Sequence, residues 1–340
     1  MLLSVLDLSF VRSGVPASRS LHDTIALARA VDDLGYHRFW VAEHHSLPSV
    51  ASPAPEIMIG QIAAATRRLR VGSGGVMLPN HAPLAVAERF RMLEGLFPGR
   101  IDLGLGRAPG TDGVTAYALR RLQESRGGDE FLERLQELIA WDTGAFEPGH
   151  PFTRVNVMPD DVRLPPLWLL GSSDYSAQLS GRMGLGFAFA SHFASHDAGD
   201  AMLSYRHLFQ PSPWRSTPHA ILGVAAICAE TDAEAERLAL SADLSTLRRN
   251  RGVYGPIPTV EEAEAEITGA DRPAIERQRA RLHVGSPERL RDTLTAFAEA
   301  TRADEIMITA AIHDQAAKAR SYALLAEAFG VGRKPVALAS

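Results

Sequence analysis

A single cysteine, Cys228, in a chain of 340 residues leaves no partner for an intrachain disulfide. It lies in the apolar run 220–229, where a buried, inert thiol is expected. A reducing compartment fits. A large charge of either sign is also missing: 35 Lys and Arg against 40 Asp and Glu leave a net charge of -5. That balance argues against a general nucleic-acid or membrane-surface binder. The short arginine clusters (Arg67, Arg68 and Arg70; Arg120 and Arg121; Arg248, Arg249 and Arg251) read as solvated helix faces. No apolar run approaches the length of a bilayer span. Residues Met1 to Phe10 carry neither a basic leader nor a small-residue cleavage site, so the cytoplasm is the expected location. The G-x-x-x-x-G-K-[ST], G-x-G-x-x-G and H-E-x-x-H patterns are absent, which removes nucleoside triphosphatases, Rossmann dinucleotide enzymes and common zinc hydrolases.

What is present is an alternation of strand and helix. Strands are predicted at Leu2 to Ser9, Arg38 to Val41, Leu69 to Gly74, Ile101 to Gly106, Leu167 to Leu170, Phe187 to Ala190, Ile221 to Ala229 and Glu305 to Thr309. Ile221 to Ala229 is nearly all apolar, as a parallel strand covered on both faces should be. Helical periodicity follows most of them, as in Leu21, Ile25, Ala28, Val31 and Leu34, with Ser20 as the expected N-cap and Gly35 as the stop. Eight βα units favour a closed (β/α)8 TIM barrel over a doubly wound sheet, as one domain over 1–340. One stretch, Asn250 to Arg281, breaks the rhythm with Pro256, Pro258, Gly269, Pro273 and a cluster of glutamates before the last βα unit. Long excursions after barrel strands lie on the catalytic face, so a lid is expected there, against the alternative of a surface loop without a role.

Four segments carry candidate chemistry. Trp40 to His45 sits at the end of the second strand, where barrels place catalytic groups. Adjacent residues on an extended segment diverge, so at most one of His44 and His45 faces the mouth; a core histidine is the competing reading. Arg107 directly follows the strand ending in Gly104-Leu105-Gly106 and suits a phosphate fork, or else a surface ion pair. Gly104 and Gly106 would let a planar group approach the backbone. Gly171, Ser172 and Ser173 lead into a helix near Tyr175, which makes either an anion site or an ordinary cap. Val71 to Pro79 holds Gly74-Gly75, where spacing alone favours a tight turn. One anion site, one glycine-lined wall and one histidine after different strands suggest a phosphorylated aromatic cofactor. A metal hydrolase using His44, His45 and His81 is disfavoured by ligand spacing, and no metal is expected.

Together with His283 to Glu288, these segments resemble, in collinear order, the alpha chain of bacterial luciferase and the wider luciferase-like monooxygenase family. The resemblance implies a barrel that binds FMN, in reduced form as FMNH2, with O2 as co-substrate and a separate flavin reductase as partner. It implies that Arg107 holds the phosphate with Gly171, Ser172, Ser173 and the backbone near Tyr175. It places Gly74-Gly75 at the family's non-prolyl cis peptide under the flavin ring, and His44 at its general base. A small organic substrate such as an aldehyde or ketone is oxygenated; neither nucleic acid nor membrane is a partner. Gly106 stands where luciferase has a reactive cysteine, and Tyr175 where a phosphate-binding threonine is usual, leaving open a side-chain or backbone contact. Luciferase is a heterodimer; here a homodimer is considered. The alternatives are a deazaflavin (F420)-dependent hydride-transfer enzyme and a non-catalytic flavin-binding partner.

Overall fold

Strands that are apolar on both faces need cover on both, and a ring of parallel strands inside a ring of helices supplies it. The computed structural model describes residues 1–108, 110–120 and 130–332. The first half runs β1 (Leu2–Asp7), α1 (Ala17–Leu34), β2 (Arg38–Val41), α2 (Pro55–Ala65), β3 (Arg70–Ser73), β4 (Val76–Met77), α3 (Pro83–Leu96), β5 (Ile101–Gly106), α4 (Gly113–Arg120) and α5 (Glu130–Thr143). The second half runs β6 (Leu167–Gly171), α6 (Asp174–Met183), β7 (Gly186–Ala190), α7 (Ala198–Leu208), β8 (Ala220–Cys228) and α8 (Asp232–Asn250). It continues with α9 (Val260–Glu266), α10 (Arg272–Arg279), β9 (Leu282–Gly285), α11 (Pro287–Thr301), β10 (Glu305–Thr309) and α12 (Gln315–Phe329).

The strands follow the order β1-β2-β3-β5-β6-β7-β8-β10, and β10 pairs in parallel with both β8 and β1, so the barrel closes. It is a TIM barrel, as the alternation predicted. Strand alternation divides its residues. Leu3 and Val5 join the large core between strands and helices, whereas Leu6, Trp40, Ala42, Trp168, Ala188, Ile221 and Met307 fill the interior. Cys228 is buried, and burial pushes its thiol up to about 12, as an inert core cysteine requires. No helix among the described residues is long and apolar enough to cross a membrane.

The elements depart from the sequence reading in four places. Helix α1 starts at Ala17 behind Pro16, whose φ of -57° presets the turn, and Ser20 is buried inside the helix rather than capping it. Helix α8 runs from Asp232 to Asn250, so Asn250, expected to open the excursion, instead closes a helix. Helices α4 and α7 and the short strands β4 and β9 were not anticipated; the two residues of β4 are too few to show a period. Arg121 lies outside the described residues.

The fourth departure concerns 250–281. The segment is built, not irregular. Thr259 and Glu262 form a reciprocal capping box for α9, and the clustered glutamates pair with α8 through Arg237–Glu261, Arg237–Glu264 and Arg248–Glu266. The segment lies on the C-terminal side of the barrel. It leaves after β8 and α8, and the chain rejoins through β9, parallel to the last residues of β8 from Ala225↔Leu282 to Cys228↔Gly285. Ile257 exchanges backbone hydrogen bonds with Val11 and Ser13 in the β1–α1 loop, and Ser13 donates to Glu262 at 2.8 Å.

Candidate active site

The end of β2 is organised around Glu43. Its carboxylate is buried and accepts hydrogen bonds from the Met77 amide at 2.8 Å and Asn80 at 3.1 Å. His45 and His81 reach it through Nε2 at 2.8 and 3.0 Å. Burial pulls the Glu43 carboxyl upward, but the bonds from His81 and His45 outweigh it and hold it below the ordinary value. His45 and His81 therefore serve a carboxylate, and His44 alone is left for the mouth. Burial, opposed by the Glu43 charge, lowers the basicity of His44, and its Nδ1 is buried with no partner among the described residues. A buried polar atom without a partner carries a desolvation penalty, so such an atom at a barrel mouth marks a place prepared for a ligand.

Beside it, the Gly74–Gly75 peptide is cis, as the resemblance implied. The expectation that Gly104 and Gly106 open a wall to a planar ligand is not met. A side chain at Gly104 would strike the Ser73 carbonyl, one at Gly106 would lie 2.9 Å from the Met77 sulfur, and one at Gly75 would lie 2.8 Å from the Gly104 carbonyl. The space is filled by protein. These glycines let β4 slide in beside β5 where β3 leaves it, and Ser73 bridges the gap through bonds of 2.8 and 3.0 Å with Gly104.

The anion end is assembled from two strand ends. Ser173 is the N-cap of α6 by backbone geometry, with φ -151° and ψ 171°, yet its hydroxyl caps nothing, so the first-turn N–H groups and the hydroxyl remain available. The guanidinium of Arg107 lies 4.4 Å from the Tyr175 ring centroid, and the Tyr175 hydroxyl is buried without a partner among the described residues. Arg107 is exposed and has no carboxylate partner among the described residues, which removes the ion-pair reading. Gly171 allows Ser176 to pack close, since a side chain there would lie 2.5 Å from its hydroxyl. Arg107, Ser172, Ser173 and Tyr175 thus gather at one place, and their chemistry fits a phosphate carried by an aromatic group.

The luciferase-like monooxygenase family matches residues 1–305. The chain belongs to that family. It is 40% identical over 322 residues to a luciferase-like monooxygenase of Escherichia coli K12, covering 94% of this chain and 95% of that one. It is 43% identical over 328 residues to the uncharacterized protein YvbT of Bacillus subtilis, covering 96% of each. The crystal structure of apo-MsnO8 superposes with a TM-score of 0.90 at 43% identity, over 98% of this chain and 99% of that one. The fold is shared at a TM-score of 0.69 by an FMN complex of a 3,6-diketocamphane monooxygenase constituent at 19% identity, covering 96% of this chain and 97% of that one. It is shared equally by an F420-dependent secondary alcohol dehydrogenase at 13% identity, covering 98% and 99%. The fold by itself therefore does not choose the cofactor.

Three features of this luciferase-like monooxygenase escaped the sequence reading. The first is Glu43 as the hub of its loop, a role that depends on contacts 34 to 38 residues away. The second is a charged plug below the site. Arg38 binds Glu305 and Asp102 at 2.6 Å each, Arg70 and the Trp40 indole also reach Asp102, and Ser4 donates to Glu305. The third is a pair of polar residues at the mouth. Thr309 is buried with a hydroxyl that has no partner among the described residues, and burial pushes the His192 imidazole down to about 4 despite a contact with the Gly223 carbonyl.

Proposed function

We propose that this family member is the oxygenating component of a two-component monooxygenase that takes FMNH2 from a separate flavin reductase and uses O2 to oxygenate a small organic substrate of aldehyde or ketone type. The observation that carries the reading is the juxtaposition of an uncapped α6 N-terminus, the unpaired Arg107 and the orphaned Tyr175 hydroxyl, at the same barrel mouth as the orphaned His44 Nδ1. Reduced FMN would supply the electrons and the atom on which oxygen is activated.

The protein's own part follows from its side chains. Arg107 offers a planar fork to a phosphate, and the Ser172 and Ser173 segment adds hydroxyls and helix N–H groups where positive potential already exists. The Arg107 guanidinium stacks on Tyr175, which holds it in place without neutralising it. His44 is neutral at pH 7 because burial disfavours its charged form, so its Nδ1 can accept a proton from the reacting group or return one. The cis Gly74–Gly75 peptide, whose Gly75 carbonyl accepts from the Glu43 amide at 3.3 Å, would serve as the flavin-facing wall. The excursion 250–281, anchored at Ile257, acts as the lid of this single-domain barrel and keeps water from the mouth.

Stopped-flow absorbance tests the reading. Mixed with FMNH2 and oxygen, the protein should give a transient band absent from free flavin and slow its reoxidation. Reoxidation at the free-flavin rate would reject FMN and point to F420; binding without any turnover across a substrate screen would mark a non-catalytic flavin carrier. Ile57 on α2 and Met92 and Leu96 on the adjoining α3 are exposed apolar side chains, and we read them as a homodimer face. Sedimentation velocity should show a dimer that Leu96→Glu dissociates; a monomeric wild type removes this part.

A further inference from the structure

The interior wall of the mouth opposite the phosphate end holds polar groups that the proposed chemistry does not use. On β8, Gly223 pairs with Ala190 of β7 and with Met307 of β10, and Ala225 pairs with Thr309. These are inward positions, since Ile221 and Met307 of the same alternation sit in the interior cluster. His192, two residues beyond Ala190, swings its ring over Gly223: a side chain at Gly223 would meet the His192 Nδ1 at 3.5 Å. His192, whose ring lies over Gly223, and Thr309, which pairs with Ala225 two residues further on, therefore flank β8 from its two neighbouring strands β7 and β10. Every other residue of β8 is buried, and Ala225 alone retains exposure.

The Nδ1 of His192 lies 3.3 Å from the Gly223 carbonyl oxygen, which also accepts from the Ser191 amide at 2.9 Å and the Ser191 hydroxyl at 2.7 Å; a hydrogen bond from the ring to that oxygen would put the proton on Nδ1 and leave the lone pair on Nε2. Thr309 is 7% exposed, and its hydroxyl finds no partner among the described residues. We propose that His192 and Thr309 wall a polar notch, floored by Ala225, that receives a neutral head group of the organic substrate through an N–H or O–H donated to His192 Nε2, with Thr309 completing the hydrogen bonding. The proposal rests on the reading that substrate enters the mouth beside His44. It names the class of substrate: apolar in body, with an amide or hydroxyl at one end and no charge there. A carboxylate or sulfonate would face the lone pair of a neutral imidazole, and burial, which disfavours the imidazolium, keeps that ring from becoming its cation.

The full chain without flavin, with its histidines labelled with nitrogen-15, provides the test. His192 should show the Nδ1–H tautomer and remain neutral at pH 7; an Nε2–H tautomer or a charged ring overturns the proposal. Hexanamide and 4-methylphenol should then move the Nε2 resonance and bind about threefold to tenfold tighter than N,N-dimethylhexanamide and 4-methylanisole. His192→Phe should abolish that preference, and Thr309→Val, which keeps the shape, should reduce it. An unmoved Nε2, or the same preference in His192→Phe, overturns the proposal; Thr309→Val serves if His192→Phe fails to fold. FMN binding, followed separately by fluorescence in the same variants, should be unchanged. Loss of FMN binding in the wild type would defeat the flavin reading and leave the fragment result standing on its own.

Discussion

At the N-terminal end of the barrel, Arg38 gives its guanidinium to Asp102 and Glu305, and Arg70, Trp40, Ser4 and His219 complete the remaining bonds of those carboxylates. At the C-terminal end, among the described residues, Arg107 has no carboxylate, His44 Nδ1, Tyr175 Oη and Thr309 Oγ1 have no partner, and the Ser173 hydroxyl caps nothing. The N-terminal end buries its charges, whereas the mouth sets the exposed Arg107 beside the buried His44 Nδ1, Tyr175 Oη and Thr309 Oγ1. The plug answers the desolvation of its charges from within, and so can only hold the barrel together and close its floor. The mouth leaves the same kind of cost unmet, and a molecule that meets it gains binding energy. The plug's charges are paired, whereas unpartnered groups of the described residues occur at the candidate site.

That contrast breaks if a mouth variant loses stability or a plug variant loses only function. The largest effect is expected from His44→Ala, which should lower turnover about 10²–10⁴-fold with reduced flavin still bound and the melting temperature nearly unchanged. Product formation and calorimetry check it, and full turnover would rule out the proton role. Arg38→Met should cost about 3–5 kcal/mol in urea denaturation, because Asp102 and Glu305 stay buried with their main cation gone. Arg107→Ala should weaken FMN binding about tenfold to a hundredfold, by fluorescence titration, and leave the urea midpoint in place.

Acid should separate the two ends. Burial lowers His192 from 6.5 to about 4, so its contribution is present above 6.5 and is lost as pH falls towards 4. Burial raises Glu305, but Arg38 and its hydrogen bonds prevail and bring it from 4.5 to about 2. Its contribution is present above 4.5 and is lost as pH falls towards 2. Unfolding free energy against pH should fall in two stages, the first missing in His192→Phe and the second in Glu305→Gln. The smallest effect is expected for Ile257→Ala, which loosens the anchor of the excursion and should raise hydrogen peroxide release per reduced flavin by about two- to threefold, where coupling assays read it. Unchanged coupling would take away its role as a lid.

The barrel was legible because its signal is repeated: eight apolar strands separated by amphipathic helices speak for the same fold even when single boundaries slip. Arg107, His44 and the Gly171 to Tyr175 turn were legible because each directly follows a strand, where the fold must expose it. The two-residue β4 carries no period and went unseen, as did β9 beside the polar excursion. The glutamates of 250–281 read as a polar loop because their arginine partners lie on another helix.

Sequence alone thus determined the class of fold, the family, and which residues stand at strand ends, because these depend on local order along the chain. Only the tertiary structure decided which polar atoms are paired. It showed Glu43 holding His45 and His81 while His44 goes free, and it showed that Gly104 and Gly106 make room for a neighbouring strand, not for a ligand. It also set the His192 ring over Gly223 and Thr309 beside Ala225, two residues further along β8. Whether a hydrogen-bonding group is satisfied depends on what the closed barrel brings within about 3 Å of it, and residues far apart in the chain make that choice.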